Sequence, residues 1–130
     1  MIREQKAIRR LYKDFQKAPL QKFPARVREK LHVPDVHGIY AILNRSGKVL
    51  HVGRTVRGKR GLHQRLRNHL CGASSFHIKW IKPRRLNLRR GYQFRFLFVE
   101  SSRERALLEA YAIGVLCPAH IGEGALLNDQ

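Results

Sequence analysis

The stretch Gly38-Ile39-Tyr40-Ala41-Ile42-Leu43-Asn44-Arg45-Ser46-Gly47-Lys48-Val49-Leu50-His51-Val52-Gly53 decides the fold. Its first six residues are apolar, rich in β-formers and short, which reads as a strand. Asn44-Arg45-Ser46-Gly47 is a turn, with Gly47 free to take the positive φ of a short hairpin loop. Lys48 to Val52 returns as the second strand, and Gly53 ends it. About the apex near Ser46, Tyr40 and His51 fall at similar distances on adjacent strands. If both side chains point the same way, a phenol and an imidazole stand side by side. A phenol that merely packs and makes one hydrogen bond is the structural alternative.

Upstream, Ile8, Leu11, Tyr12 and Phe15 recur at helical spacing within residues 2–17, an amphipathic helix. Pro24 and Pro34 bracket a second short helix over Ala25 to His32. Residues 1–35 thus form an N-terminal helical extension packed on the main domain. Downstream of the hairpin, Gly58 and Gly61 make a basic loop pliable, and Leu62 to Leu70 reads as a helix stopped near Gly72. Ser74 or Ser75 caps a further helical stretch through Ile81, ended by Pro83. Residues 92–99 alternate with period two and put Tyr92, Phe94, Phe96 and Phe98 on one face of a third strand. Ser101 and Glu104 form a capping box for a helix that runs to about Leu116, before Pro118. The expected class is α+β: a small three-stranded, mainly antiparallel sheet, the hairpin plus a third strand, flanked by helices. The main domain covers 36–121, and 122–130 is a loose tail.

The 130 residues suit one domain, and a 43% hydrophobic content suffices for a modest core. Lys and Arg number 27 against 9 acidic residues, a formal net charge of +18. The 64 residues from Val36 to Val99 hold 15 basic side chains and no carboxylate. Ordinary surfaces mix both signs, so this field is built for a polyanion and excludes a cationic substrate. No apolar run reaches the roughly 18–20 residues of a membrane span. The charged first 17 residues lack the apolar stretch of a secretory signal, so a cytoplasmic, nucleic-acid-associated protein is expected. Cys71 and Cys117 lack CxxC spacing and read as two buried free thiols in a reducing compartment. Neither a GxGxxG nor a Walker-type loop is present to hold a small phosphorylated metabolite.

Three constellations carry chemistry. Glu109 lies in a helix whose other positions, Ala106 to Leu116, are apolar nearly all round. A carboxylate there must sit in a solvated seam, pair with an arginine or ligate a hard cation such as Mg²⁺. Arg65 and His69, four apart, share a helix face away from the Leu62–Leu66–Leu70 stripe. They suit a phosphate grip with a proton or hydrogen-bond donor one turn away, or simply steering of a polyanion. Tyr40 and His51 are the third. Arg54, Arg57, Lys59 and Arg60 after the hairpin, with Lys82, Arg84, Arg85, Arg89 and Arg90, are candidate phosphate contacts that position without reading sequence.

Gly38-Ile39-Tyr40, with His51-Val52-Gly53 eleven residues on, resembles the GIY-YIG nuclease family. The ordered set continues through Arg65 and His69 on the next helix to Glu109 ahead of Pro118, so the likeness spans most of the chain. It implies a metal-dependent nuclease acting on nucleic acid, most readily DNA. Glu109 would hold one Mg²⁺ or Mn²⁺ per site, and Tyr40, helped by His51, would orient or deprotonate water. Arg65 would neutralise charge on the phosphorane, and His69 would hydrogen-bond the phosphate or Tyr40. Two positions depart from the family pattern. His51 stands for the second tyrosine, where an imidazole is a better base at neutral pH than an unperturbed phenol. The asparagine often found shortly after the proline is absent, with His120 nearby instead. A non-catalytic basic nucleic-acid-binding protein and an inactive module of this fold are the alternatives. A homodimer or a targeting partner is compatible with a single site per chain.

Overall fold

The computed structural model describes residues 2–56 and 60–122; Arg57, Gly58, Lys59 and the expected tail from 123 onward lie outside the described residues. In chain order the elements are α1 (Ile2–Lys17), β1 (Gln21–Lys22), β2 (Gly38–Leu43), β3 (Val49–Arg54), α2 (Gly61–Cys71), a π-helical turn (His77–Ile81), β4 (Gln93–Phe98) and α3 (Ser102–Leu116). The strands form one antiparallel sheet in the order β1-β4-β2-β3. The α+β architecture is the expected one, with the two-residue β1 adding a fourth, edge strand through pairs Gln21–Phe94 and Lys22–Gln93.

β2 is central and buried at every position, so its alternation sorts side chains between two cores. On one face Tyr40 and Ile42 join Leu50, Phe94, Leu62, Leu66, Phe76 and Ile81. On the other, Ile39, Ala41 and Leu43 meet Val52, α1 through Ile8 and Phe15, and α3 through Leu108 and Ala112. Ser101 accepts from the Glu104 amide at 3.1 Å and starts α3. The helix stops at Cys117, whose φ is +46°, ahead of Pro118. Residues 119 and 120 then run along the open side of β3, with Ala119 N donating to Val49 O and His120 N to Leu50 O. Buried Arg105 donates to the carbonyls of Thr55, Val99 and Glu100, tying α3 to the ends of β3 and β4.

Several expectations change. Residues 25–32 are turns rather than a helix. Eight residues between prolines are too few to repay helix nucleation. Phe23, Leu31 and Val33 instead anchor an irregular strap in the first core, and Arg89 donates to the carbonyls of Pro24 and Arg26. In the last helix Tyr111 and Val115 are 38% and 52% exposed, so its apolar composition does not mean burial all round. Phe98, at the end of the aromatic alternation, is 56% exposed. Both cysteines are exposed, not buried, because each falls at a helix C-terminus where the chain turns outward.

Candidate active site

Tyr40 stands opposite Gly53 in the sheet register, and His51 stands opposite Ile42. The phenol and imidazole therefore share a face as diagonal rather than direct neighbours, with ring centroids 6.0 Å apart. Gly53 is required by this geometry: a Cβ there would lie 2.3 Å from Tyr40 Oη. His51 stacks on Phe76 at 4.7 Å and meets the His69 ring edge-on at 5.1 Å.

α2 turns its two faces as its spacing requires. Leu62 and Leu66 are fully buried in the core, while His69, also buried, and the exposed Arg65 face the sheet's tyrosine. His69 Nε2 lies 2.5 Å from Tyr40 Oη, and His69 Nδ1 lies 2.6 Å from Ser74 Oγ. The positive charge of Arg65 acts on the phenol oxygen and favours its lone pairs facing the guanidinium. Tyr40 O–H is thus left to donate to His69 Nε2, which places the imidazole proton on Nδ1 toward Ser74. Ser74 itself, beyond the stop at Gly72, caps the π-helical turn by accepting from His77 N at 3.1 Å.

These buried groups are neutral. Burial pushes the Tyr40 phenol up to about 12, with the charge of Arg65 pulling it back. Burial pushes His51 down to about 3, and His120 and Arg65 push the same way. His69 is held well below the usual imidazole range, by burial first and then by His51 and Arg65. His51 is consequently a neutral hydrogen-bond acceptor at neutral pH, and burial makes it a weaker base than an ordinary histidine.

Tyr40, His51, Arg54, Arg65, Ser74 and Glu109 all line one cleft of about 420 Å³. Glu109 projects from α3 with 12% of its side chain exposed and forms an ion pair with Arg54 at the end of β3. Of the three sequence readings for this carboxylate, the arginine pair is the one present. Burial raises its pKa, and Arg54 and Arg65 oppose the rise. It is the only carboxylate among the described residues lining the cleft, and no group of three or more metal-binding side chains occurs among the described residues. A single carboxylate fits Mg²⁺, which takes few protein ligands and fills its octahedron with water and phosphate oxygens; Glu109 suits such an ion once Arg54 yields.

The basic residues are less uniform than their sequence suggests. Arg54 and Arg89 are engaged inside the protein, with Glu109 and with backbone carbonyls. Arg84 lies 4.3 Å over the Trp80 ring, and Arg60 reaches Asp35 at 3.6 Å. Lys82, Arg85 and Arg90 are exposed. Sequence reasoning missed Ser74 as the partner of His69 and Phe76 as the platform for His51, and it noted His120 only beside the absent asparagine, without the contact in which its Nδ1 lies 3.1 Å from His51 Nδ1. Ser74 stood out only as a helix cap, and no periodicity links it to a histidine across a helix stop.

The sheet of order β1-β4-β2-β3 with its flanking helices has the fold of a GIY-YIG endonuclease domain. The chain is similar to the crystal structure of the GIY-YIG N-terminal endonuclease domain of UvrC from Thermotoga maritima, described as bound to its catalytic cation, magnesium. The TM-score is 0.50 and the identity 24%, over 68% of this chain and 86% of that one. An asparagine-to-alanine and a tyrosine-to-phenylalanine variant of the same domain match equally well, each with TM-score 0.50 and 24% identity. No family model and no curated protein matches the chain.

Proposed function

We propose that the protein is a divalent-metal-dependent nuclease that hydrolyses phosphodiester bonds in nucleic acid, with DNA as the preferred substrate. The observation that carries this reading is the Tyr40–His69–Ser74 hydrogen-bond chain opening into the same cleft as Arg65 and Glu109. Glu109 is the residue that would hold the cation, which when bound supplies Lewis-acid stabilisation of charge on the phosphate. As water attacks phosphorus, Tyr40 Oη takes a proton from the water and passes its own to His69 Nε2. The resulting imidazolium stays bonded through Nδ1–H to Ser74 Oγ, and as the bond from phosphorus to the ester oxygen breaks, that leaving oxygen takes a proton from solvent. His51 accepts a hydrogen bond that orients the water, and Arg65 donates to the phosphate as its charge builds. The solvent-facing Lys82, Arg85 and Arg90, with Arg57 and Lys59 outside the described residues, grip the backbone. Arg54 contributes once it leaves Glu109.

The neighbouring UvrC domain's magnesium and its description as an endonuclease support this reading. So does the neutrality of the inner wall: among the described residues lining the cleft, Glu109 alone repels a polyanion. One observation favours a second reading, binding without cleavage: Arg54 occupies the only cleft carboxylate among the described residues. Supercoiled plasmid incubated with protein and Mg²⁺, then with excess chelator, separates them. Nicking that needs the metal is expected; retention of the plasmid without nicking under any divalent metal favours the second reading.

A further inference from the structure

From the sequence, His120 has no role beyond standing near the absent asparagine, yet the fold sets it against His51, a ring that lines the cleft. After α3 stops at Cys117, the chain runs beside β3 and His120 N donates to Leu50 O at 2.8 Å, giving a parallel bridge with His51. This fixes the two imidazoles against each other, with centroids 5.1 Å apart and Nδ1 atoms 3.1 Å apart. Two nitrogens at that distance cannot both carry hydrogen, nor both lack it: one donates and one accepts. Among the described residues no acceptor is hydrogen-bonded to buried His51 Nε2, so a hydrogen there would be an orphaned donor, whereas the half-buried His120 ring can give its own N–H to water. The proton therefore belongs on His51.

We infer that the His120 ring is a positioning residue: its Nδ1 accepts from His51 Nδ1–H, locking His51 in the tautomer whose Nε2 lone pair is turned toward the cleft. His51 lies buried between the rings of Phe76 and His69, so its plane is already set by packing. What packing leaves open is the site of the proton, since the two tautomers have the same shape. His120, half-buried beside His51, closes that choice and keeps its own Nε2–H for solvent. In a nuclease, an Nε2 acceptor can hold a water hydrogen and aim the oxygen; an Nε2–H donor would hold the water the other way round. The catalytic consequence rests on the nuclease reading; the tautomer itself does not.

The experiment has two arms. Two-bond ¹H–¹⁵N correlation on the intact ¹⁵N-labelled chain at neutral pH reads each imidazole nitrogen directly. The wild type is expected to give pyrrole-like Nδ1 and pyridine-like Nε2 shifts for His51, with a pyridine-like Nδ1 for His120. His120→Ala should move both His51 nitrogens toward averaged values, with backbone amide spectra verifying the fold. His120→Asn, whose side-chain oxygen can accept in the same place, should restore them. An Nε2–H tautomer in the wild type, or His51 shifts unchanged in His120→Ala, overturns the assignment. In the second arm, single-turnover cleavage should fall about 10-fold in His120→Ala with KM little changed, and recover in His120→Asn, the scale typical of a group that orients a reacting side chain. The predicted tautomer in a protein that never cleaves would retire the nuclease reading and leave this assignment standing.

Discussion

The inner and outer walls of the cleft are built on opposite principles. The inner wall, Tyr40, His51, His69 and Ser74, is buried to 4% exposure or less and neutral, and each group is fixed by a hydrogen bond to another. The outer wall, Arg54, Arg65 and Glu109, is charged and partly open, and its ion pair has 26% and 12% of the two side chains exposed. Charge is expensive where water is excluded, so the fold keeps neutral hydrogen-bonding groups inside and ionic groups at the rim. The inner groups gain precision because packing and bonding hold them. The outer pair gains the freedom to exchange partners when a phosphate or cation arrives.

The comparison breaks most sharply at the outer wall. Glu109→Ala and Arg65→Ala should each lower Mg²⁺-dependent cleavage by about 10²–10³ or more, with DNA retention in gel-shift assays close to wild type. Retained cleavage in both would remove the outer wall from the chemistry. The inner wall breaks through its backbone: Gly53→Ala places a methyl 2.3 Å from Tyr40 Oη. Overpacking of this kind costs about 1–3 kcal/mol, read by urea denaturation, and should displace the phenol and reduce cleavage as well.

Acid sharpens the difference between the walls. The unfolded His51 titrates near 6.5 and the folded one near 3, so between those values the unfolded chain binds more protons. The stabilisation from His51 is full above about pH 6.5 and is lost as the pH falls toward 3. Thermal melts should therefore fall on acidification, and His51→Phe should flatten part of that slope. An equal slope in the variant would assign acid sensitivity elsewhere. On the activity side, His69 held well below the usual imidazole range and a phenol pushed up to about 12 keep both groups neutral from neutral into mildly alkaline pH, so the rate should be level there, with no inflection near the pKa of an ordinary histidine.

The smallest effects belong to the periphery. Arg85→Ala or Arg90→Ala should weaken DNA binding uniformly across sequences and reduce the log–log salt slope by about 1 each. Arg103→Ala, which breaks only the exposed pair with Glu4, should change neither stability nor salt slope measurably.

The hairpin, α2, β4 and α3, the nearness of Tyr40 to His51 and the shared face of Arg65 and His69 were legible because periodicity and turn chemistry act over a few residues; that Glu109 joins them was implied by the family resemblance alone. The hairpin turn fixes which residues face each other, and the i, i+4 rule places Arg65 with His69. What was illegible depended on distant segments meeting. Arg54 finds Glu109 across 55 positions and His51 finds His120 across 69, and neither pairing leaves a periodic trace. β1 was missed because two residues are too short to show alternation. The helix expected over 25–32 failed because proline boundaries mark where a helix can begin, not whether apolar anchors such as Leu31 hold the backbone otherwise. The exposed thiols correct a composition-based expectation that took no account of their place at helix ends.

Single-turnover cleavage of an end-labelled DNA duplex in Mg²⁺ by the wild type and by Tyr40→Phe tests the central claim most directly, since the substitution removes one oxygen from the proton path and little else. Cleavage by the wild type, abolished by chelator and reduced at least about 10²-fold in Tyr40→Phe with duplex binding retained, is the predicted result. Equal cleavage rates for the two proteins, or a wild type that binds the duplex and leaves it intact in every divalent metal, would contradict it.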